Sequence, residues 1–331
     1  MSERVAASAA QSHVPSLGRE AGERRGAPDD WLRGVWNIVP TPFDGSGALD
    51  EPSLRRLIDF VIATGVQGVT ILGVLGEAGK LADAERSRVI DVTLDAAGGR
   101  VPVCAGVTHP ATDRCLAFAR EAEAAGVAAL MAAPPALAKP NEAAVRRHFE
   151  ALAATVALPL VVQDFPPASG VHLSPAFIAG LAAELPACRW LKLEDDPTPQ
   201  KVTAVLAANP EVRILGGLGG SFMLEELGRG AVGVMTGFGF PEILVAIERS
   251  FSRRDHAAAR DTFYRYLPLI RFENQAGVNL PLRKHIYQLR GAIASARARE
   301  PHARLDAVTL QELDELLAHL GLRTPGVVSI G

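Results

Sequence analysis

Lys192 stands between Leu191 and Leu193 in "CRWLKLEDD", a run whose apolar residues read as a buried strand. A lysine ammonium is almost never fully buried without a partner, so the residue calls for a reason. Removing such a charge from water favours the free amine, which is the nucleophilic form. An amine of this kind condenses with a ketone to an iminium, an electron sink for making or breaking a neighbouring carbon–carbon or carbon–oxygen bond. Side chains alternate along a strand, so Trp190, Lys192 and Glu194 share one face. Glu194 is then either the proton carrier for that chemistry or the structural ion-pair partner of the lysine.

Other residues could complete a site. Gln163, in "VVQDFPPASG", can donate a hydrogen bond to a substrate oxygen but carries no titratable proton, and Asp164 follows it. In "GVLGEAGK" the backbone N–H groups around Gly73, Val74, Leu75 and Gly76 can bind a carboxylate without help from side chains, and Glu77 closes that stretch. The run "GGLGG" (216–220), with Gly217 as a substrate-lining position, supplies tight turns and close approach, yet lacks the Lys-Ser/Thr partner of a phosphate loop. Phe238 and Phe240 are either an apolar wall over the pocket, with Phe238 touching substrate, or core. Asp164 and Asp195, then His109, rank behind Glu194 as acid–base groups, and Arg271, Glu273 and Asn274 read as helix–helix or interface contacts, with a substrate role near the barrel mouth as the alternative. Eight histidines and three cysteines (Cys104, Cys115, Cys188) show no metal spacing and no CxxC pair. The expectation is no metal, no cofactor, and reduced thiols in a cytoplasmic protein.

These residues have to be positioned by repeating elements. From residue 34, short Val/Ile/Leu runs alternate eight times with amphipathic segments such as 50–65, 82–98 and 110–126. Gly65, Gly98 and Gly126 sit where helix C-caps belong, and Asp50 and Ser174 where N-caps do. Eight apolar strands alternating with helices imply an α/β fold, a (β/α)8 TIM barrel. An open doubly wound sheet would want GxGxxG after its first strand, and "VPTPFDGSGALD" is not that. The expected division is a disordered tail over 1–30, the barrel over 31–245, and a C-terminal helical extension over 246–331 packed on it. In such barrels chemistry occupies the carboxyl ends of the strands, where 73–77, 163–164, 192–194, 217 and 238 all fall. The chain has 331 residues, 48% of them hydrophobic, and a formal net charge of -3, so no basic field points to nucleic acid. No apolar run is long enough to span a membrane, and the first 30 residues lack a secretory h-region.

Taken in order, the motifs resemble the dihydrodipicolinate synthase / N-acetylneuraminate lyase family of class I lyases, over roughly residues 34 to 294. "GVWNIVPTPF" is similar to that family's opening strand, "GVLGEAGKL" to its GTTGE-type loop, "VVQDFPPASGV" to its YNxP segment, and "WLKLED" to the segment carrying its Schiff-base lysine. The resemblance implies a barrel assembled as a homotetramer or homodimer, pyruvate or another 2-oxo acid as substrate, and Lys192 as the imine-forming residue. It also exposes departures. Gln163 stands in place of the family's catalytic tyrosine, Val74 and Leu75 in place of its two threonines, and Ala168 in place of the arginine of the synthases. The segment "PPALAKP", where a partner-borrowed tyrosine would come from, holds no aromatic residue. Dihydrodipicolinate synthase activity is therefore not expected. The expectation is a Schiff-base lyase (aldolase) on pyruvate or a related 2-oxo acid, with Glu194 moving protons. Dehydration of a hydroxy or deoxy 2-oxo sugar acid through the same enamine is the alternative, and an oxo-acid binder that has lost turnover is a third. A metal-dependent class II aldolase lacks a ligand set.

Overall fold

Eight Val-, Ile- and Leu-rich runs form parallel strands: β1 (Gly34–Ile38), β2 (Gly68–Ile71), β3 (Val103–Gly106), β4 (Ala129–Ala132), β5 (Leu160–Asp164), β6 (Trp190–Leu193), β7 (Arg213–Gly216) and β8 (Gly233–Thr236). Each pairs with the next and β8 returns to β1, which closes the barrel. The computed structural model describes residues 31–137, 139, 141–323 and 325–330, so the tail expected over 1–30 lies outside the described residues.

Nearly every strand residue is buried, which explains why these runs are apolar on both faces. Val69, Leu130, Val162, Leu191 and Val234 pack outward beneath the helices. Trp36, Cys104, Met131, Val161, Trp190, Leu215 and Met235 fill the barrel interior. Each large side chain removed from water contributes roughly 1.5–3 kcal/mol. The interior plug ends one layer below the mouth. Two residues on from Cys104, Leu215 and Met235 come Gly106, Gly217 and Gly237. Two residues on from Val161 and Trp190 come Gln163 and Lys192. Alternation thus places a glycine-lined, polar layer above an apolar plug.

The helices begin and end on chemistry visible in the sequence. The Asp50 carboxylate accepts the Ser53 N–H at 3.0 Å ahead of the helix Glu51–Ala63, and the Ser174 hydroxyl accepts the Phe177 N–H at 3.1 Å ahead of Pro175–Glu184. Gly98 and Gly126 close Asp83–Ala97 and Thr112–Ala125 with φ of 56° and 97°.

After β8 the helix Pro241–Ser252 runs across residue 245, and His256–Glu273, Asn279–Leu289 and Ala307–His319 follow it. These helices are tied to the loops at the barrel mouth. Arg290 pairs with Glu242. The fully buried Glu273 accepts the Gly239 N–H at 2.9 and 3.0 Å and Arg283 Nε at 2.8 Å. The Tyr287 hydroxyl lies 3.2 Å from both Asn37 Oδ1 and Phe238 O. Among the described residues no helix is long and apolar enough to cross a membrane.

Candidate active site

β5 and β6 pair so that Gln163 lies beside Lys192. Lys192 Nζ stands 2.7 Å from Glu194 Oε2, and Gln163 Nε2 donates to the same oxygen at 2.8 Å. The lysine and glutamine are each 3% exposed, and the glutamate side chain 10%. One carboxylate oxygen therefore collects two donors from adjacent strands inside the barrel mouth. Gly217 makes room for this arrangement. A Cβ on it would lie 2.2 Å from Glu194 Cγ and 2.7 Å from Cδ.

The loop after β2 forms a tight turn at the same end of the barrel. The Gly76 and Glu77 N–H groups are spent on Gly73 O and Val74 O, each at 3.0 Å, and the Thr41 hydroxyl donates to Gly76 O at 2.6 Å. The Gly73, Val74 and Leu75 N–H groups have no hydrogen-bond partner among the described residues. A Cβ on Gly76 would press to 2.9 Å on Leu72 N, which explains glycine there. A Cβ on Gly237 would come within 2.6 Å of Leu75 Cδ1, so Leu75 lies over the mouth.

Three residues expected to touch substrate are committed elsewhere. Glu77, at φ 54°, is buried in an ion pair with Lys284, with Lys80 Nζ at 3.0 Å and the Arg299 N–H at 2.9 Å, so it ties the loop to the C-terminal segment. Asp164 faces the helices, opposite to Gln163, with Oδ2 2.6 Å from Lys201 Nζ. The contact is an ion pair. Burial pushes the Asp164 carboxyl up, and Lys201 pulls against that shift. Phe238 is fully buried in the outer core against Phe240, because β8 turns Met235 and Gly237 inward and Phe238 outward.

The second-rank acids are also engaged. Asp195 holds Lys201 Nζ at 2.7 Å and His172 Nδ1 at 3.0 Å. His109 accepts the Ala111 N–H at 3.0 Å at the start of Thr112–Ala125. Gly219 and Gly220 take positive φ (70° and 85°), and the Gly219 N–H donates to the Thr236 hydroxyl at 3.0 Å. Cys104, Cys115 and Cys188 are buried, and desolvation pushes each thiol up to about 12, so none is a nucleophile. Sequence reasoning passed over Lys201, Lys284 and Glu226. Glu226 is 1% exposed, takes the Thr198 hydroxyl at 2.6 Å, and presses its other oxygen against Gly216, where a Cβ would meet it at 1.8 Å. Among the described residues no group of three or more His, Cys, Asp or Glu side chains is gathered to hold a metal. Surface depressions of about 460 and 480 Å³, lined respectively by residues such as Arg271 and Glu312 and by Pro197 and Phe222, touch none of Lys192, Glu194 and Gln163.

A buried lysine thus stands at the barrel mouth with a carboxylate and an amide beside it. The model of the dihydrodipicolinate synthetase family matches residues 31–320. The chain belongs to that family. Among its relatives in the family, L-2-keto-3-deoxyarabonate dehydratase from Azospirillum brasilense is 34% identical over 288 residues, 85% of this chain and 92% of that one. The 4-hydroxy-tetrahydrodipicolinate synthase of Acidobacterium capsulatum is 31% identical over 297 residues, 88% of this chain and 96% of that one. In three dimensions, the dihydrodipicolinate synthase of Rhodopseudomonas palustris superposes with a TM-score of 0.82 at 34% identity, over 87% of this chain and 98% of that one. A prophage family member from E. coli K12, solved with pyruvate, gives a TM-score of 0.83 at 26% identity, over 88% and 99% of the two chains. Both the (β/α)8 barrel and the lyase character of the family agree with the expectations from the motifs.

Proposed function

We propose that this family member is a Schiff-base lyase that dehydrates a hydroxylated 3-deoxy 2-oxo acid of the sugar-acid class. The observation that carries the reading is Glu194 Oε2 lying 2.7 Å from Lys192 Nζ while accepting from Gln163. A carboxylate at that distance can take the proton the ammonium must shed before attack. The amine then adds to the C2 ketone, and loss of one water leaves the iminium. The same carboxylate then turns to C3, one bond beyond the imine carbon. It takes a C3 proton to give the enamine, then returns a proton to the C4 hydroxyl, which leaves as water. Addition of water at C2 releases the product and restores the lysine. The net change is the loss of one water from the substrate.

The absence of a phenol at position 163, where the synthases' proton shuttle would align, weighs against synthase chemistry. The name of the Azospirillum brasilense relative, a 2-keto-3-deoxy acid dehydratase, supports the same reading. The unpartnered Val74 and Leu75 N–H groups are suited to the substrate carboxylate. Aldol cleavage remains the second reading, because family relatives include carbon–carbon bond-forming synthases. Assembly as a homotetramer or homodimer belongs to the proposal and is read by light scattering on the eluting protein.

The test is product analysis with a panel of 2-keto-3-deoxy sugar acids. Products lighter by one water, with no pyruvate detected by a coupled lactate dehydrogenase, support dehydration. Pyruvate in place of the dehydrated product moves the reaction to aldol cleavage. Tight binding of oxo acids without any turnover would make the protein a binder.

A further inference from the structure

Asp164 and Asp195 each follow a residue of the site directly: Asp164 comes after Gln163, and Asp195 after Glu194. Both carboxylates lie on the side of the sheet away from the barrel interior, and one cation serves both. Lys201 Nζ is 2.6 Å from Asp164 Oδ2 and 2.7 Å from Asp195 Oδ2. Lys201 stands in the first turn of the helix Thr198–Ala208, its N–H bonded to Pro197 O at 3.2 Å, so the helix aims the side chain at the two strand ends. The bridge is largely dehydrated, with Asp164 at 0%, Lys201 at 10% and Asp195 at 17% side-chain exposure. Charges removed from water in this way are costly to separate, unlike exposed surface pairs.

The bridge crosses where the sheet itself runs out. β6 ends at Leu193, and beyond it the Glu194 N–H still donates to Asp164 O at 3.0 Å. Without the ammonium, two carboxylates would face each other behind that bond. The backbone that carries Gln163 and Glu194 would then lose the tie that links the two strand ends. We infer that Lys201 is a positioning residue for the active site: by bridging Asp164 and Asp195 behind the sheet, it holds Gln163 and Glu194 at the spacing their shared contact with Lys192 requires. It touches no reacting atom. A shift of about 1 Å in such a group can cost on the order of a hundredfold in rate.

The inference rests on the Schiff-base reading only for its kinetic arm, and the test separates the two. Lys201→Met in the full-length chain is compared with wild type by backbone hydrogen exchange over the peptide containing Glu194, by borohydride trapping of pyruvate on Lys192, and by turnover of the best substrate found. Exchange at that peptide is expected to speed up by about tenfold or more, whatever the protein's activity. Trapping is expected to stay within about threefold of wild type, while turnover falls about ten- to a hundredfold with little change in KM. Lys201→Arg, which can still bridge both acids, is expected to restore most of the turnover. Unchanged exchange in Lys201→Met overturns the clamp, as does turnover equal to wild type or trapping that falls in step with turnover. Failure of the wild type to trap any 2-oxo acid would refute the Schiff-base reading and leave the exchange arm to decide the clamp. If Lys201→Met does not fold, Asp195→Asn, which removes the more exposed arm, decides by the same criteria.

Discussion

Gly217 and Glu194 share one space: the position a Cβ would occupy on the glycine lies 2.2 Å from the glutamate's Cγ and 2.8 Å from its Oε1. The glycine thus lets the carboxylate fold back over Lys192. Gly217→Ala is expected to displace Glu194 and reduce kcat by about a hundredfold. The overpacked methyl should also cost about 1–3 kcal/mol of stability. Initial rates and urea unfolding on the same preparation check both. Full turnover in Gly217→Ala would show that the carboxylate need not stand where it does.

Glu194→Gln keeps a polar side chain beside Lys192 and Gln163 but cannot accept a proton. Turnover is expected to fall by about 10²–10⁴-fold while oxo-acid binding survives. Stopped-flow rates and equilibrium binding separate the two. A loss below about threefold would move the proton-transfer role to another group.

Glu226 gives stability a pH dependence. Desolvation pushes its carboxyl from 4.5 up to about 7, against the hydrogen bond from Thr198. The folded chain therefore holds this proton over a window in which the unfolded chain has lost it. The contribution is fully present below about pH 4.5, declines as pH climbs to about 7, and is gone above. One such group changes stability by about 3 kcal/mol across that window. Glu226→Gln, whose Oε1 can still accept from Thr198, is expected to flatten the profile by that amount. Urea titrations of both proteins at pH 5, 6, 7 and 8 (roughly spanning the window) provide the check. Parallel profiles would contradict it.

The buried Glu77–Lys284 pair joins the loop after β2 to the C-terminal helices across 207 positions of chain. Removing one partner leaves the other buried without its counter-charge, so Lys284→Met and Glu77→Gln are each expected to cost about 3–5 kcal/mol in denaturant unfolding. The loop that carries the Val74 and Leu75 N–H groups should loosen as well, raising KM more than it lowers kcat. Stability within about 0.5 kcal/mol of wild type would show that the pair bears no strain of the loop.

Much of this was legible before any coordinates. Strand number, helix caps at Asp50 and Ser174, and the inward face shared by Trp190 and Lys192 all follow from local chemistry, because apolar runs and caps act over a few residues. Asp164 and Phe238 were expected at the substrate, yet alternation already argued against both. If Gln163 faces in, Asp164 faces out, and the same holds for Gly237 and Phe238. The partners of Glu77 could not be read in this way, because Lys284 and Arg299 arrive from more than 200 residues away. The bridging role of Lys201 was hidden for the same reason: helix periodicity does not say which strand ends a side chain will meet.

The most direct measurement is reductive trapping. Full-length protein is incubated with pyruvate and borohydride, digested, and the peptide containing residue 192 is weighed. A stable adduct on Lys192, abolished together with turnover in Lys192→Ala, is the expected result. An unmodified Lys192 after exposure to a panel of 2-oxo acids, or full activity in Lys192→Ala, would contradict the Schiff-base assignment outright.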